Sequence, residues 1–300
     1  MAVTMTGNAP DRFETGIAIV NNGGSTRLNG VRPEASIAEQ CVTSNPGFGI
    51  PETPPDGPLV ADGGTVLYPT VAATIVSYTF FNFALDWTAS TGGQLVNGLA
   101  LTGEQLVGGG GSISTQGGLY AVTLPVSGTT TTATLLPGTS GGRVWNPIVG
   151  PDGDLAFFGQ DTGSAQGDLK RYDLPGQTLS PPILGVGVLK YAPALGSDGV
   201  LYTASSANVV TARSANNLNQ LWAVTLPAAS TASVALDCAR SPSGAPESGQ
   251  RGTLYVPAGG TLHAIIVDSP GLNQGTGAWP KFQHDARNTG NPSTPITHCP

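Results

Sequence analysis

The chain has 300 residues, of which only 10% are charged, and a formal net charge of −7 at pH 7. An acidic balance without a basic patch excludes electrostatic binding of nucleic acid and disfavours anionic membrane surfaces. No apolar run reaches the roughly 18 residues of a transmembrane helix, and the high content of Gly, Thr, Ser and Val favours short strands joined by tight turns.

The N-terminal segment, residues 1–57, begins with MAVTMTGNAPDRFETGIAIV, which lacks the basic stretch and apolar core of a secretory signal peptide. The sparse charge and Thr/Gly-rich composition are nevertheless similar to those of exported bacterial proteins. We therefore expect an extracellular or periplasmic protein, present here as a mature or partial form of a longer chain. An intracellular protein is the alternative.

Five segments within residues 58–270 share one pattern, in which an acidic or glycine turn precedes a short apolar or aromatic strand. They are VADGGTVLYPTVA (60–72), LTGEQLVGGGGS (101–112), VGPDGDLAFFGQ (149–160), LGSDGVLYTASS (195–206) and ESGQRGTLYVPAGG (247–260). The aligned turn residues are Asp62, Glu104, Asp152, Asp198 and Gly252, spaced by 42, 48, 46 and 54 residues. A repeat of this length indicates a tandem array of similar units.

Two of these turns carry an Asp-Gly pair with a specific role. In Asp152-Gly153 and Asp198-Gly199, the Asp side chain is expected to accept a hydrogen bond from the backbone two residues later. The Gly supplies the positive φ that closes a hairpin.

Further strands follow several of the turns. The segments GGLYAVTLP (117–125) and QLWAVTLP (220–227) are almost identical, and SYTFFNFALDWTASTGG (77–93) and GGTLHAIIVDSP (259–270) have a similar pattern. We expect all four to occupy the same position within their units.

A period of 40–50 residues made of short strands is typical of the blades of a β-propeller. We predict an all-β fold, a propeller of about six or seven four-stranded blades with an irregular C-terminal tail. Residues 58–270 hold the visible repeats, and residues 13–50, with GIAIV and the turn NNGG, can hold a degenerate blade. A β-sandwich is the competing architecture, but it does not repeat one motif five times.

The repeat resembles the quinoprotein-like β-propeller superfamily, whose repeats are often described as PQQ-like. The resemblance rests on Gly196-x-Asp198-Gly199-x-Leu201-Tyr202 and on the Trp87 and Trp222 strands, with LDWTASTGG (85–93) similar to the end of a blade. The tail WPKFQHDARNTGN (279–291) resembles a segment found beside such propellers in secreted bacterial proteins. The resemblance implies a fold and leaves the activity open, because this fold carries unrelated functions.

The quinone-binding enzymes of this superfamily carry two adjacent cysteines joined by a disulfide, a Trp floor for the quinone, a calcium or lanthanide ion and a catalytic Asp. This sequence has no adjacent cysteine pair. The resemblance therefore implies a scaffold without a quinone, and we assign no catalytic, cofactor-binding or metal-binding residue.

Two glycine-containing motifs are interpreted as structural. The run PGTSGGR (137–143) contains Gly-x-Ser-x-Gly around Ser140. An α/β-hydrolase requires a helix directly after this motif, and no helix pattern follows here. The run GGGG (108–111) lacks the Lys and the helix of a phosphate-binding loop. It predicts a flexible hairpin or close packing between units. The polar run SGTTTTATL (127–135) predicts an edge strand with solvated hydroxyl groups, and glycan binding is the alternative.

Two polar groups invite a metal or acid–base interpretation. Asp152, Asp154 and Asp161 offer carboxylates for calcium, although the turn explains the first of them. The set His284, Asp285, Arg287 and Asn288 is the densest polar group in the chain. We interpret it as a structural network that ties down the tail.

The C-terminal segment, residues 271–300, is predicted to pack on the propeller as a clasp. It has no β-ladder of its own, so we expect it to be anchored by the aromatic side chains of Trp279 and Phe282 and by its polar network. Cys238 and Cys299 are candidates for a disulfide in an exported protein, and three free thiols including Cys41 are the alternative.

These observations predict a non-catalytic binding or scaffolding propeller of an exported bacterial protein. We expect it to be a monomer that has a protein or glycan partner and binds no cofactor or nucleic acid. The alternative is a propeller enzyme, such as a glycan lyase or hydrolase that acts at the central channel. A quinone-dependent dehydrogenase is a more remote alternative.

Overall fold

A computed structural model describes residues 17–22, 25–30, 38–42, 59–61, 65–69, 73–79, 84–92, 96–111, 117–161, 166–239, 241, 245–247, 251–282, 284–285, 290–292 and 296. For the strands within 17–61, and for residues 66, 68 and 78, the description covers the backbone alone. The described residues form β-strands, turns and one 3-10 turn at Pro151–Gly153, which confirms the all-β prediction. No helix in these ranges has the length and apolarity needed to cross a bilayer.

The described strands assemble into six sheets, numbered here in chain order. Sheet 1 contains β1 (Ile17–Asn22), β2 (Ser25–Gly30) and β3 (Ala38–Val42). Sheet 2 contains β4 (Leu59–Ala61), β5 (Thr65–Pro69), β6 (Thr74–Thr79) and β7 (Leu85–Ser90), with the short parallel strand β11 (Thr130–Thr132) beside β7. Sheet 3 contains β8 (Val96–Leu101), β9 (Gln105–Gly110), β10 (Leu119–Thr123) and β12 (Thr134–Leu135).

The remaining three sheets follow the same antiparallel, sequence-consecutive order. Sheet 4 contains β13 (Arg143–Val149), β14 (Leu155–Asp161), β15 (Gly167–Asp173) and β16 (Thr178–Leu179). Sheet 5 contains β17 (Ala194–Leu195), β18 (Val200–Ala204), β19 (Val209–Ser214) and β20 (Gln220–Thr225). Sheet 6 contains β21 (Ala235–Asp237), β22 (Gly252–Ala258) and β23 (Thr261–Val267).

The five repeat segments coincide with one recurring feature of sheets 2–6, the connection from the first strand to the second. The Asp-Gly turn at 198–199 has the predicted form. The backbone N–H of Val200 donates to Asp198 Oδ1 at 3.2 Å, and Gly199 has a φ of +75°. The repeat in the sequence is therefore a repeat of hairpins in the structure.

The near-identical segments at 117–125 and 220–227 do not occupy the same position, and that expectation is wrong. Strand β10 is the third strand of sheet 3, lies between β9 and β12, and is buried over Leu119–Val122. Strand β20 is the fourth and outermost strand of sheet 5 and is largely exposed. The same side chains thus serve as core in one sheet and as an outer edge in another, because neighbouring strands decide their burial.

The apolar cores lie between successive sheets. One group of buried residues, including Leu67, Leu106 and Val144, joins sheets 2, 3 and 4. A second, including Phe157 and Leu201, joins sheets 4 and 5. A third group joins sheets 5 and 6 and is formed by Tyr202, Val210, Leu254, Val256 and their neighbours. Sheets 2–6 therefore stack face to face in the order in which the chain forms them.

Sheets 3 and 4 approach so closely that glycine is required between them. A Cβ atom on Gly109 of β9 would lie 2.7 Å from the carbonyl oxygen of Val144, and one on Gly98 would lie 2.5 Å from Asn146 Oδ1. Gly98 also has a φ of +134°, which L side chains rarely adopt. The GGGG run is thus explained by close packing between two sheets, one of its two structural interpretations.

Polar side chains near the first strands connect sheets 3 to 6 in sequence. Asn97 Nδ2 donates to the carbonyl oxygen of Val144 at 3.2 Å, which connects β8 to β13. Asn146 Nδ2 donates to the carbonyl oxygen of Lys190 at 3.0 Å, just before β17. The N–H of Ala192 in turn donates to Ser233 Oγ at 3.1 Å, just before β21. The first strands of these sheets therefore lie next to one another.

The tail lies across the ends of two first strands. The backbone groups of Trp279 and Val149 exchange hydrogen bonds of 2.8 and 3.0 Å. The N–H of Leu195 donates to Pro280 O at 2.7 Å, and Leu195 O accepts from the N–H of Asn273. The expectation that the tail lacks backbone partners is wrong for 271–280, because it pairs with β13 and β17. Trp279 is fully buried, and Phe282 packs against the core between sheets 4 and 5.

Candidate functional site

The described residues enclose a cleft of about 760 Å³ between sheet 2, sheet 3 and the tail. Its floor and walls combine apolar side chains, such as Leu67 and Leu101, with hydroxyl, amide and carboxylate groups. Concave sites of this size and mixed lining are the usual places where proteins bind ligands. We therefore treat it as the candidate functional site.

Sheet 2 forms one wall of the cleft. Among the described lining residues of this sheet, Asp86 is the one with a charged side chain. Ser77 of β6 lies opposite Trp87 of β7 in the strand register, and the residue before Trp87, Asp86, is exposed at the cleft. Ser77 Oγ donates to Asp86 Oδ2 at 3.3 Å, which orients the carboxylate. Trp87 lines the cleft but is almost fully buried.

The wall from sheet 3 is formed by the turn between β8 and β9. Thr102 Oγ1 accepts hydrogen bonds from the N–H groups of Glu104 at 3.3 Å and Gln105 at 2.9 Å. These bonds are typical of a Thr-stabilised turn and fix the threonine side chain in one position. The segment Leu124–Val126, which follows β10, extends the same wall with apolar surface.

The tail forms the third wall with the segment 274–278. Gln274 and Thr276 are exposed, whereas Ala278 is buried. The segment is folded back on itself, because the N–H of Gly275 donates to Asn273 Oδ1 and the N–H of Ala278 donates to Gly275 O. Two exposed polar side chains are therefore presented on a segment that the backbone pairing with β13 and β17 holds in place.

Beside this wall, two polar side chains of the tail, those of His284 and Asp285, form a buried pair, and His284 also lines the cleft. His284 and Asp285 are both more than 95% buried, and His284 Nδ1 lies 3.5 Å from Asp285 Oδ2. The His284 ring packs on Trp279 with 5.0 Å between ring centroids. Arg287 and Asn288, the other members of the predicted set, lie outside the described residues. The two described side chains are thus buried in contact with each other, and the structural network of the four residues stays a prediction.

Lys281 completes this cluster and was not singled out by the sequence. It is buried, and its Nζ donates to the backbone oxygens of Phe282 at 2.6 Å and Asp285 at 2.9 Å. Burial lowers the pKa of the Lys281 ammonium to about 8, and the nearby Asp285 carboxylate opposes this shift. The lysine therefore ties together the backbone of Phe282 and Asp285 in the tail at a cost in desolvation.

The stability of the chain is expected to rise with pH above 8. Folded Lys281 gives up its proton near pH 8, whereas the unfolded chain keeps it up to the ordinary value of 10.5. Between these values the unfolded state binds more protons, so the free energy of unfolding increases by up to about 1.4 kcal/mol per pH unit. Urea unfolding between about pH 7.5 and 9.5 should show this slope in the native chain and a smaller one in Lys281→Met.

Equal slopes in the two chains would contradict the role given to Lys281. Burial also lowers the pKa of Lys170, but this residue is present in both chains and cancels in the comparison. Burial raises the pKa of Tyr120, Tyr172 and Tyr202 from 10.0, so these tyrosines lose their protons above the pH range of the experiment.

A second polar cluster lies at the other end of β13. The buried carboxylate of Asp161 accepts hydrogen bonds from Arg143, at 3.1–3.4 Å, and from the indole N–H of Trp145. The Arg143 guanidinium lies 4.0 Å from the centroid of the Trp145 ring. Arg143 and Trp145 are partly buried, and the arrangement joins β13 to the end of β14. The Asp161 carboxylate thus has its hydrogen-bond donors within the cluster, which is typical of a structural ion pair.

The structure separates the carboxylates that suggested calcium. Asp152 and Asp154 lie before β14, whereas Asp161 is its last residue and is engaged by Arg143. A seven-residue strand is about 20 Å long, so these groups do not converge. Among the described residues, no three His, Cys, Asp or Glu side chains are placed to hold a metal ion.

The other motifs lie in structural positions. Ser140 is exposed in the turn before β13, next to Thr139, whose buried hydroxyl donates to Leu136 O. The Thr-rich run forms β11 and β12, which add short edge strands to sheets 2 and 3 as predicted. Cys238 is buried beside Asp237, whereas Cys299 and the side chain of Cys41 lie outside the description. The Cys238–Cys299 bridge stays a prediction.

No protein-family model and no curated protein matches this chain. The fold and the cleft therefore carry the functional argument by themselves.

Proposed function

We propose that the chain is a quinoprotein-like β-propeller of six or seven blades, as the sequence repeat predicts. Three features of the structure support this proposal. Sheets 2–6 are built from consecutive strands, they stack face to face in chain order, and Asn97, Asn146 and Ser233 connect neighbouring first strands. In a propeller, the first strands of the blades surround the central axis, so the first strands of consecutive blades lie next to each other, as they do here.

The proposed function is non-catalytic binding or scaffolding, and the cleft between sheets 2 and 3 and the tail is its site. The supporting observation is the chemistry of the cleft. Among its described lining residues, Asp86 is the one carboxylate, and it is exposed. Glycoside hydrolysis ordinarily uses two carboxylates on either side of the scissile bond. A hydrolase or lyase is therefore the second candidate, and none of the described lining residues favours a quinone-dependent dehydrogenase.

A segment of a partner protein fits this cleft better than a glycan does. Sugar rings bind on exposed aromatic faces, but Trp87 has only 5% of its surface exposed. The lining instead alternates apolar residues with hydroxyl and amide groups on turns, which suits an extended polypeptide with small apolar side chains. The Asp86 carboxylate and the net charge of −7 favour a neutral or basic segment.

The proposed setting is an exported bacterial protein that acts as a monomer. The low charged fraction of 10% and the Thr/Gly-rich composition support an environment outside the cytoplasm. A rigid array of sheets with variable connecting loops is suited to present a binding surface there.

Filling the cleft should abolish binding without unfolding the chain. Thr276 is exposed on the tail wall, so Thr276→Trp adds bulk to the cleft and leaves the core intact. A displayed peptide library and a glycan array are the probes. We expect peptides to be selected, and Thr276→Trp should weaken their binding at least tenfold with an unchanged melting temperature. Thr178→Trp, at an exposed position of β16 outside the cleft, is the matched control.

Two outcomes would contradict this proposal. Selection of glycans and not peptides would reassign the ligand class. Peptide binding that Thr276→Trp and Thr178→Trp affect equally would place the binding surface elsewhere on the molecule.

A further inference from the structure

The last sheet has one buried and one exposed face. In the register of β22 and β23, Leu254 lies opposite Ile265 and Val256 opposite His263, and this face packs on sheet 5. The neighbouring positions belong to the other face, because side chains alternate along a strand. They pair Thr253 with Ile266, Tyr255 with Ala264 and Pro257 with Leu262.

This second face is apolar and open. Leu262 has 62% and Ile266 has 65% of its surface exposed, and Ala264 between them is also exposed. The three residues are about 7 Å apart along one strand, so they form a continuous apolar strip. Tyr255 and Pro257, on the adjacent strand, are half-buried and extend it. A single exposed leucine is ordinary, but a contiguous apolar sheet face marks a contact surface.

The position of this face in the stack indicates what covers it. Sheets 2–5 each pack on the next sheet in chain order, so sheet 6 is the last in the series. Its outward face has no following sheet among the residues of 59–267 that the structure describes. If the sheets surround an axis, the next position lies between sheet 6 and sheet 2. An open end of such a stack is a site for unwanted association, which ring closure removes.

Sheet 1 has the properties required of the occupant. It is the described sheet that is not part of the series, and its three antiparallel strands match the architecture of sheet 6. Residues 43–58 join it to β4, and 16 residues can span on the order of 50 Å when extended. Its strands carry one Arg and one Glu, Arg27 and Glu39, so few charges need to lose their hydration.

We propose that the face formed by Tyr255, Pro257, Leu262, Ala264 and Ile266 is the docking surface for sheet 1 of the same chain. This inference rests on the proposed propeller and adds how its ring closes: residues 17–42 supply the blade between sheet 6 and sheet 2. The N-terminal strands then act as an intramolecular partner that protects the apolar face from solvent and from other molecules.

Charged substitutions on the face test whether it is covered. The variant Leu262→Lys/Ile266→Lys of the full chain should melt at least about 5 °C below the native chain, because docking of sheet 1 would bury the two charges. Leu184→Lys, at a side chain with 71% exposure, and Leu221→Lys, on the outer strand β20, are the controls and should be neutral. An unchanged melting temperature in the double variant would overturn the proposal.

Photo-cross-linking identifies the occupant. A benzoylphenylalanine at Ala264 of the full chain should form cross-links within one molecule to residues 17–42, and the same group at Leu184 should form none. Cross-links between two molecules, with a dimer mass by light scattering, would overturn the proposal in favour of a second copy. Cross-links to neither would show an open face and would also overturn it.

The inference and the proposed function fail in different ways. A chain whose peptide binding depends on Thr276, but whose position 264 does not cross-link to residues 17–42, keeps its binding function and loses this ring closure. A chain that cross-links as expected, but binds no peptide in the cleft, keeps the closure and loses the function.

Discussion

Replacement of Trp279 by alanine is expected to lower the free energy of unfolding by about 3–5 kcal/mol, the range observed when large aromatic side chains are removed from cores. Trp279 is fully buried, packs on the His284 ring and belongs to the core that joins sheets 2, 3 and 4. Its loss leaves a cavity in that core and detaches the side chain that anchors the tail. Chemical unfolding followed by circular dichroism measures the change.

Two matched variants separate packing from other effects. Trp222→Ala makes the same change on the outer strand β20, where the indole is only partly buried, and should cost clearly less. Trp279→Phe keeps most of the apolar volume and removes an indole N–H that has no hydrogen-bond partner in the described structure, so it should also cost less. Equal losses for Trp279→Ala and Trp222→Ala would show that the tail is not an essential part of the core.

Replacement of Arg143 by methionine is expected to cost about 3–5 kcal/mol, the range for breaking a buried ion pair by removing one partner. The side chain of Asp161 is 1% exposed, and Arg143 provides three of its contacts at 3.1–3.4 Å. Methionine restores much of the volume over the Trp145 ring but not the charge. The carboxylate is then buried without its guanidinium.

A second Arg–Asp pair in the same chain is the control. Arg251 Nε lies 2.9 Å from Asp268 Oδ1, but these side chains are 72% and 83% exposed. Arg251→Met should therefore change stability by less than about 1 kcal/mol, because water and ions screen an exposed pair. A larger effect at Arg251 than at Arg143 would contradict the argument that burial, and not distance, decides the contribution of each pair.

The repeat and the strand content follow from local chemistry, and for that reason the sequence predicts them. Turn residues such as Asp198 and Gly199 act within a few residues of themselves, through a side-chain bond to Val200 N–H and a positive φ. Five such turns at similar spacing were enough to predict five hairpins. The all-β fold class follows from the same signals.

Burial of a strand is a property of its neighbours, and here the sequence was misleading. LYAVTLP and LWAVTLP have the same pattern, but the first lies within sheet 3 and the second forms the outer edge of sheet 5. The tail shows the same limit. Its aromatic residues predicted burial, but its backbone pairing with Val149 and Leu195 depends on strands far away in the sequence.

The cleft could not be predicted for a related reason. Asp86, Thr102 and Thr276 come from three segments that share no motif, and each alone is an ordinary surface residue or turn residue. The nearest signal was the density of polar residues at 284–288, of which His284 lines the cleft. Lys281 was overlooked because a single lysine carries no pattern that distinguishes a buried position from an exposed one.

The pairing of Trp279 with Val149 sets the order in which the molecule can be completed during synthesis. Each of sheets 2–6 is made almost entirely of consecutive strands, so it can form soon after its own residues leave the ribosome. The backbone groups at the end of β13, however, find their partner 130 residues later. Sheet 4 can therefore form early, but the backbone groups of Val149 stay unpaired until nearly the whole chain is made. A ribosome stalled before Trp279 would hold a chain whose sheets have formed but whose core lacks the indole of the tail.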